Sequence, residues 1–146
     1  MSEIKYTNEE LGFMRLFQSL TGIEPRDCIV DKTFDRVILV VNKGMMGITI
    51  GKDGQRINYV RKATGKTVIV VEYADTLEEL IKNMVGPKYV IGVRETHSVD
   101  GSKSCIVTVN QKDKGAIFGT GGQNIEKLKL LSSRYFGINQ VKVMSI

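Results

Sequence analysis

The chain repeats itself. Residues 37–42 read VILVVN and residues 105–110 read CIVTVN; the same 68 positions separate GKDGQRI at 51–57 from GTGGQNI at 119–125. Gly47, Gly51 and Gly54 fall on Gly115, Gly119 and Gly122, Gln55 falls on Gln123, and Ile57 on Ile125. At an offset of 69, Thr7, Glu9, Glu10 and Leu11 fall on Thr76, Glu78, Glu79 and Leu80. Three blocks in one order at nearly constant offset specify a duplicated unit of about 70 residues. Two units are too few for a stacked solenoid. Each half is therefore expected to be a small domain, over residues 1–74 and 75–146.

Within each half the patterning is local and legible. Thr7-Asn8-Glu9-Glu10 is a capping box, with Leu11, Met14, Phe17 and Leu20 behind it at helical spacing and Gly22 as the stop. Residues 27–32 and 36–42 are apolar and β-branched and read as a hairpin. A short helical segment over Lys43–Ile50 leads to a loop at Gly51–Gly54, then a helix over Gln55–Thr64 and a strand at 67–73. The second half repeats the order. Thr76 and Glu79 open a helix whose stripe is Leu77, Leu80, Ile81, Met84 and Val85, and Gly86-Pro87 ends it. Strands are expected at 88–94 and 104–109, a short helix at Lys112–Phe118, a loop at Gly119–Gly122, a helix at Gln123–Phe136 and a last strand carrying Val141, Val143 and Ile146. Almost no linker separates Tyr73 from Thr76, which leaves the units little freedom to swing.

Chemistry that needs clustered reactive groups finds little here. A single histidine, His97, cannot build a nucleophile–base pair, and no cluster has metal-ligand spacing, so neither a catalytic residue, a metal nor a cofactor is expected. The acidic pairs Glu9/Glu10 and Glu78/Glu79 suit helix N-termini. Cys28 and Cys105 lie in apolar runs without CxxC spacing and read as buried thiols of a reducing, cytoplasmic compartment. No apolar run approaches the roughly 20 residues of a membrane span. Gly65-Lys66-Thr67 imitates the end of a P-loop, but Val60 stands where the earlier glycine belongs. Gly119-Thr120-Gly121 imitates a dinucleotide fingerprint, but Asn124 stands at its third glycine.

The paired glycine loops carry more. Glycine permits a sharp turn and a close backbone approach. A helix that starts directly after the loop aims N–H groups at it, which suits a phosphate. Ile50-Gly51-Lys52-Asp53-Gly54-Gln55-Arg56-Ile57 and Phe118-Gly119-Thr120-Gly121-Gly122-Gln123-Asn124-Ile125 therefore resemble the GXXG segment of the KH family, which clamps about four nucleotides of single-stranded backbone. The element order resembles the type II KH arrangement: an α+β fold in which three helices cover a three-stranded mixed sheet, here twice in tandem. The tightly joined pair is similar to the archaeal NusA-like transcription termination and antitermination factors, over nearly all of residues 5–146. The resemblance implies single-stranded RNA, a nascent transcript, as partner. It offers no counterpart for the polymerase-binding and S1 domains of bacterial members, so RNA polymerase is a weaker expectation. A monomer that modulates elongation, termination or antitermination is expected; the alternative is a docking module on polymerase or ribosome.

Charge ranks the loops. The chain's net charge is +5. Between residues 43 and 66, Lys43, Lys52, Arg56, Arg61, Lys62 and Lys66 face only Asp53, a local +5. Residues 110–130 set Lys112, Lys114, Lys127 and Lys129 against Asp113 and Glu126, a local +2. The first loop, with Lys52 at its tip and Arg61 and Lys62 on the following helix, is expected to hold phosphate more strongly than the second. Tyr59 and Phe118 are candidates for stacking on a base, and Ile50, Ile57 and Val70 for lining a groove.

Overall fold

A computed structural model describes residues 4–146, and the chain divides into two compact units between Tyr73 and Ala74. The first contains α1 (Asn8–Thr21), β1 (Asp27–Asp31), β2 (Arg36–Val41), α2 (Met46–Ile50), α3 (Gln55–Thr64) and β3 (Val68–Glu72). The second contains α4 (Leu77–Val85), β4 (Gly92–His97), β5 (Lys103–Val109), α5 (Lys114–Phe118), α6 (Gln123–Phe136) and β6 (Gln140–Ser145). The architecture is α+β: two three-stranded mixed sheets, each with three helices.

Helix α1 begins where its capping box predicts. Thr7 Oγ1 accepts from the Glu10 amide while Glu10 Oε1 accepts from the Thr7 amide, and Gly22 closes the helix in the left-handed region. The other Glu10 carboxylate oxygen accepts from the Val30 amide, tying the helix start to β1. Its buried apolar residues are Phe13 and Phe17, whereas Leu11, Met14 and Leu20 are half-buried. The sequence stripe was thus centred one position off, because Phe13 supplies more apolar area than the aliphatic residues beside it.

In each sheet the central strand pairs antiparallel with the strand before it and parallel with the last. Ile38 stands opposite Ile29 and Ile69, and Ile106 opposite Arg94 and Lys142. A parallel pair cannot be joined by a tight turn. The chain must leave the sheet at the end of β2 and return at the start of β3, and α2, the glycine loop and α3 are that crossover. In the first unit Phe13, Phe17, Ile57 and Val60 pack on Cys28, Val37, Leu39, Val41 and Val68. Burying one such side chain stabilises by roughly 1.5–3 kcal/mol. In the second, Leu80, Ile81, Ile117, Leu128 and Leu131 are buried with Cys105, Val107 and Val109. The stripe read on α4 is buried throughout.

The strand expected at 88–94 lies elsewhere. Pro87–Tyr89 form a 3-10 turn, and β4 runs from Gly92 to His97, where it pairs with Lys103. Pro87 fixes its own φ and offers no amide to a ladder. At the far end, Asp100 Oδ1 accepts from the Ser102 amide, and the Ser98 amide bonds to the Ser102 carbonyl, closing a short loop that lets both strands extend. Among the described residues no helix is long and apolar enough to cross a membrane.

Candidate nucleic-acid interface

Both glycine loops have the same backbone. Gly51 sits at φ 78°, ψ 174°, and Gly119 at φ 72°, ψ 174°. This is a region essentially restricted to glycine. A Cβ on Gly51 would lie 2.9 Å from Arg56 Cβ and 3.0 Å from the Arg56 amide nitrogen. On Gly119 it would lie 2.9 Å from Asn124 Cγ and 3.0 Å from the Asn124 amide nitrogen. The first glycine of each loop is therefore required twice, by its dihedrals and by the helix start packed against it. Asp53 and Gly121 then take left-handed conformations, followed by Gly54 and Gly122. Helices α3 and α6 start directly from these glycines with no side-chain cap. The first amide of each, on Gln55 and Gln123, donates to the Lys52 or Thr120 carbonyl of the loop itself, and each helix start carries the positive end of the helix dipole.

A latch holds each loop from behind. Arg56 Nη1 donates to the Ile48 carbonyl at 2.8 Å, and Asn124 Nδ2 donates to the Ala116 carbonyl at 2.9 Å. The two bonds occupy equivalent positions in the repeat and tie the incoming short helix to the outgoing long one. Sequence reasoning missed them, although the signal was present: a side-chain amide or guanidinium donor recurs between Gln and Ile in both copies.

The predicted site residues separate into two groups. Lys52, Asp53, Gln55, Thr120, Gly121 and Gln123 are exposed on the loops or the helix starts, and Lys62 is exposed on α3. Ile57 and Ile125 are buried, Ile50 is half-buried against the core, and Val70 is half-buried on β3. Phe118 is 37% exposed and Tyr59 54% exposed, so both aromatic faces remain partly available. Arg61 is anchored: its Nε and Nη2 donate to the Val68 carbonyl and its Nη1 to Asn58 Oδ1. A guanidinium has five N–H donors, so Arg56 and Arg61 retain some for another acceptor. Lys66 lies 3.8 Å from Glu9 in an exposed pair. Lys127, counted with the second loop's charge, is buried at 7% exposure, which leaves Lys112, Lys114 and Lys129 as the exposed lysines there.

A mixed sheet whose parallel crossover carries a latched GXXG loop defines a tandem KH-type protein. The KH domain family matches residues 14–77. "Probable transcription termination protein NusA" of Halobacterium salinarum is 33% identical over 140 residues, covering 96% of this chain and 98% of that one. The protein of the same name from Methanocaldococcus jannaschii is 27% identical over 144 residues, covering 99% of this chain and 77% of that one. The crystal structure of APE1850 superposes with a TM-score of 0.85 at 35% identity, covering 94% of this chain and 99% of that one. The chain belongs to the archaeal NusA-like family.

Proposed function

We propose that this protein is a single-stranded RNA-binding transcription factor that acts without catalysis, through its two tandem KH units. The nascent transcript is its ligand, and its effect falls on elongation, termination or antitermination. The observation that carries this reading is the duplicated, latched GXXG backbone, which presents an uncapped helix start to a phosphate in each unit. The relatives named as probable transcription termination proteins supply the process. Ile57 and Ile125 serve by anchoring the helices that bear the loops. Lys52, Arg56, Arg61 and Lys62 supply positive charge, which makes the first loop the stronger site.

The test is binding to short single-stranded RNA across a salt series, for the native protein and for Lys52→Asp. Native affinity is expected to fall steeply with salt, because Lys and Arg displace counterions from phosphate. Lys52→Asp places two carboxylates at the loop tip. It should weaken binding at least tenfold, the equivalent of about 1.4 kcal/mol, and flatten the salt dependence. Unchanged affinity would remove the first loop as the main site. A larger loss from an Asp at Thr120 or Gly121 would reverse the ranking, and no native binding at low salt would transfer the function to protein docking.

A further inference from the structure

The glycine loop of the first unit has two flanks. Helix α2 packs on α3 and β3 on one side, and α1 packs on α3 and β1 on the other. On the α1 side, Leu20 and Thr21 at the helix end, Gly51 and Lys52 of the loop, and Gln55, Arg56 and Tyr59 of α3 line an open groove. Its volume, about 440 Å³, falls within the roughly 300–1,000 Å³ of small-ligand sites. Lys52, Gln55 and Tyr59 are spaced to share one face of the loop and helix. Tyr59 is 54% exposed there, a large apolar ring at the edge of a cationic loop.

From this arrangement we infer a nucleobase subsite on the α1 flank of the first loop, selective for bases that carry an exocyclic amino group. The inference rests on the RNA-binding reading above. A phosphate at Gly51–Gly54 places its own nucleotide within reach of the groove. The base stacks on Tyr59, because every base has a π-face and an exposed aromatic ring accepts it. The groove's far wall is the C-terminal end of α1. Gly22 caps only the Gln18 carbonyl, and the Thr21 hydroxyl is already engaged with Phe17 and Ile23. A helix end of that kind carries partial negative charge and carbonyl acceptors. It repels a phosphate and favours a donor, so adenine, cytosine or guanine fits there better than uracil. Gln55 brings an amide with both donor and acceptor to the same groove.

The second unit does not repeat this site. Tyr59 corresponds to Lys127, which is buried, and α4 has 9 residues where α1 has 14. The longer α1 is what supplies the wall. The subsite thus gives the two loops different tasks: the first selects a base, while the second holds backbone.

Oligo(A), oligo(C) and oligo(U) ribonucleotides serve as probes for native protein, Tyr59→Ala, Tyr59→Phe and Lys52→Asp. Native protein should bind oligo(A) and oligo(C) more tightly than oligo(U). Tyr59→Ala should weaken oligo(A) and oligo(C) by about five- to hundredfold, the range of base–aromatic stacking, with the salt dependence unchanged because no phosphate contact is lost. Tyr59→Phe should bind as the native protein does. The chain has no tryptophan, so Tyr59→Trp introduces a single reporter whose fluorescence should be quenched by oligo(A). If Lys52→Asp weakens binding but Tyr59→Ala leaves oligo(A) affinity as it was, the subsite is overturned and the loop reading stands. Equal losses on all three oligomers would overturn the selectivity for amino-bearing bases. If no oligomer binds the native protein at low salt, the loop reading falls and the subsite falls with it.

Discussion

Substituting alanine for Gly51 should destabilise the first unit far more than the same change at either neighbouring glycine. Two costs combine. At φ 78°, ψ 174° an alanine backbone is strained, by roughly 1–3 kcal/mol. The new Cβ also meets Arg56 Cβ at 2.9 Å and the Arg56 amide nitrogen at 3.0 Å, and that backbone is fixed in the first turn of α3. Overpacking of this kind costs about 1–3 kcal/mol, and partial relaxation leaves a sum near 2–4. Gly54 differs: it is left-handed at φ 74°, and its nearest new contact is an ordinary 3.6 Å to Asn58 Nδ2. Gly54→Ala should cost only about 1–2 kcal/mol. Gly47 lies within α2 with nothing inside 4 Å, so Gly47→Ala should stabilise, by about 0.5–1 kcal/mol. Urea unfolding followed by circular dichroism measures the series. With a slope of about 1–3 kcal/mol per molar urea, Gly51→Ala should lower the midpoint by about 1–2 M. Equal midpoints for Gly51→Ala and Gly54→Ala would refute the reasoning, because they would show that the loop can shift away from α3 at no cost.

Asp53→Gly copies Gly121 of the second loop and removes a carboxylate beside the proposed phosphate. RNA affinity at low salt should rise about two- to fivefold, with the gain shrinking as salt screens the charge. Asp31→Ala should cost about 3–5 kcal/mol in equilibrium unfolding, since it removes the carboxylate that pairs with buried Arg36 at 2.8 Å. Burial, reinforced by the Glu95 carboxylate, raises the Cys105 thiol from 9.0 to about 11. Native protein should therefore resist iodoacetamide at about pH 9 and become labelled at Cys105 on unfolding. Above that pH the unfolded thiol ionises while the folded one stays protonated. Unfolding free energy should accordingly decline from the ordinary thiol pKa up to about 11, and a Cys105→Ser variant should lack that decline.

The parts of the molecule legible in the sequence are those governed by local rules. Helices α3 and α6 span Gln55–Thr64 and Gln123–Phe136 as read, because left-handed glycines bound them at both ends. The Thr7 cap and the α4 stripe were readable for the same reason. What escaped depended on tertiary partners. The position of β4 is set by pairing with β5, and an apolar run beginning at Lys88 cannot announce that Pro87 will start a turn. Lys127 looks like a solvated helix residue in a charge count, yet the fold buries it. The anchoring of the Arg61 guanidinium on the Val68 carbonyl is likewise a tertiary contact that no spacing announces. The α1 groove joins residues 20–21 to residues 51–59, a juxtaposition that no spacing rule encodes.

The parallel pairing of β2 with β3 has a consequence for thermodynamic linkage. The strands join only through the crossover that contains the glycine loop, from Val37↔Val68 to Val41↔Glu72. Opening this ladder frees the ends of the crossover and relaxes the loop. A ligand bound only by the ordered loop therefore opposes strand separation. At a hundredfold excess over its dissociation constant it adds about 2.7 kcal/mol to the free energy of opening. Hydrogen exchange at the β2 and β3 amides should then slow by about a hundredfold when the loop is filled. A buried parallel ladder becomes the gauge of an exposed site.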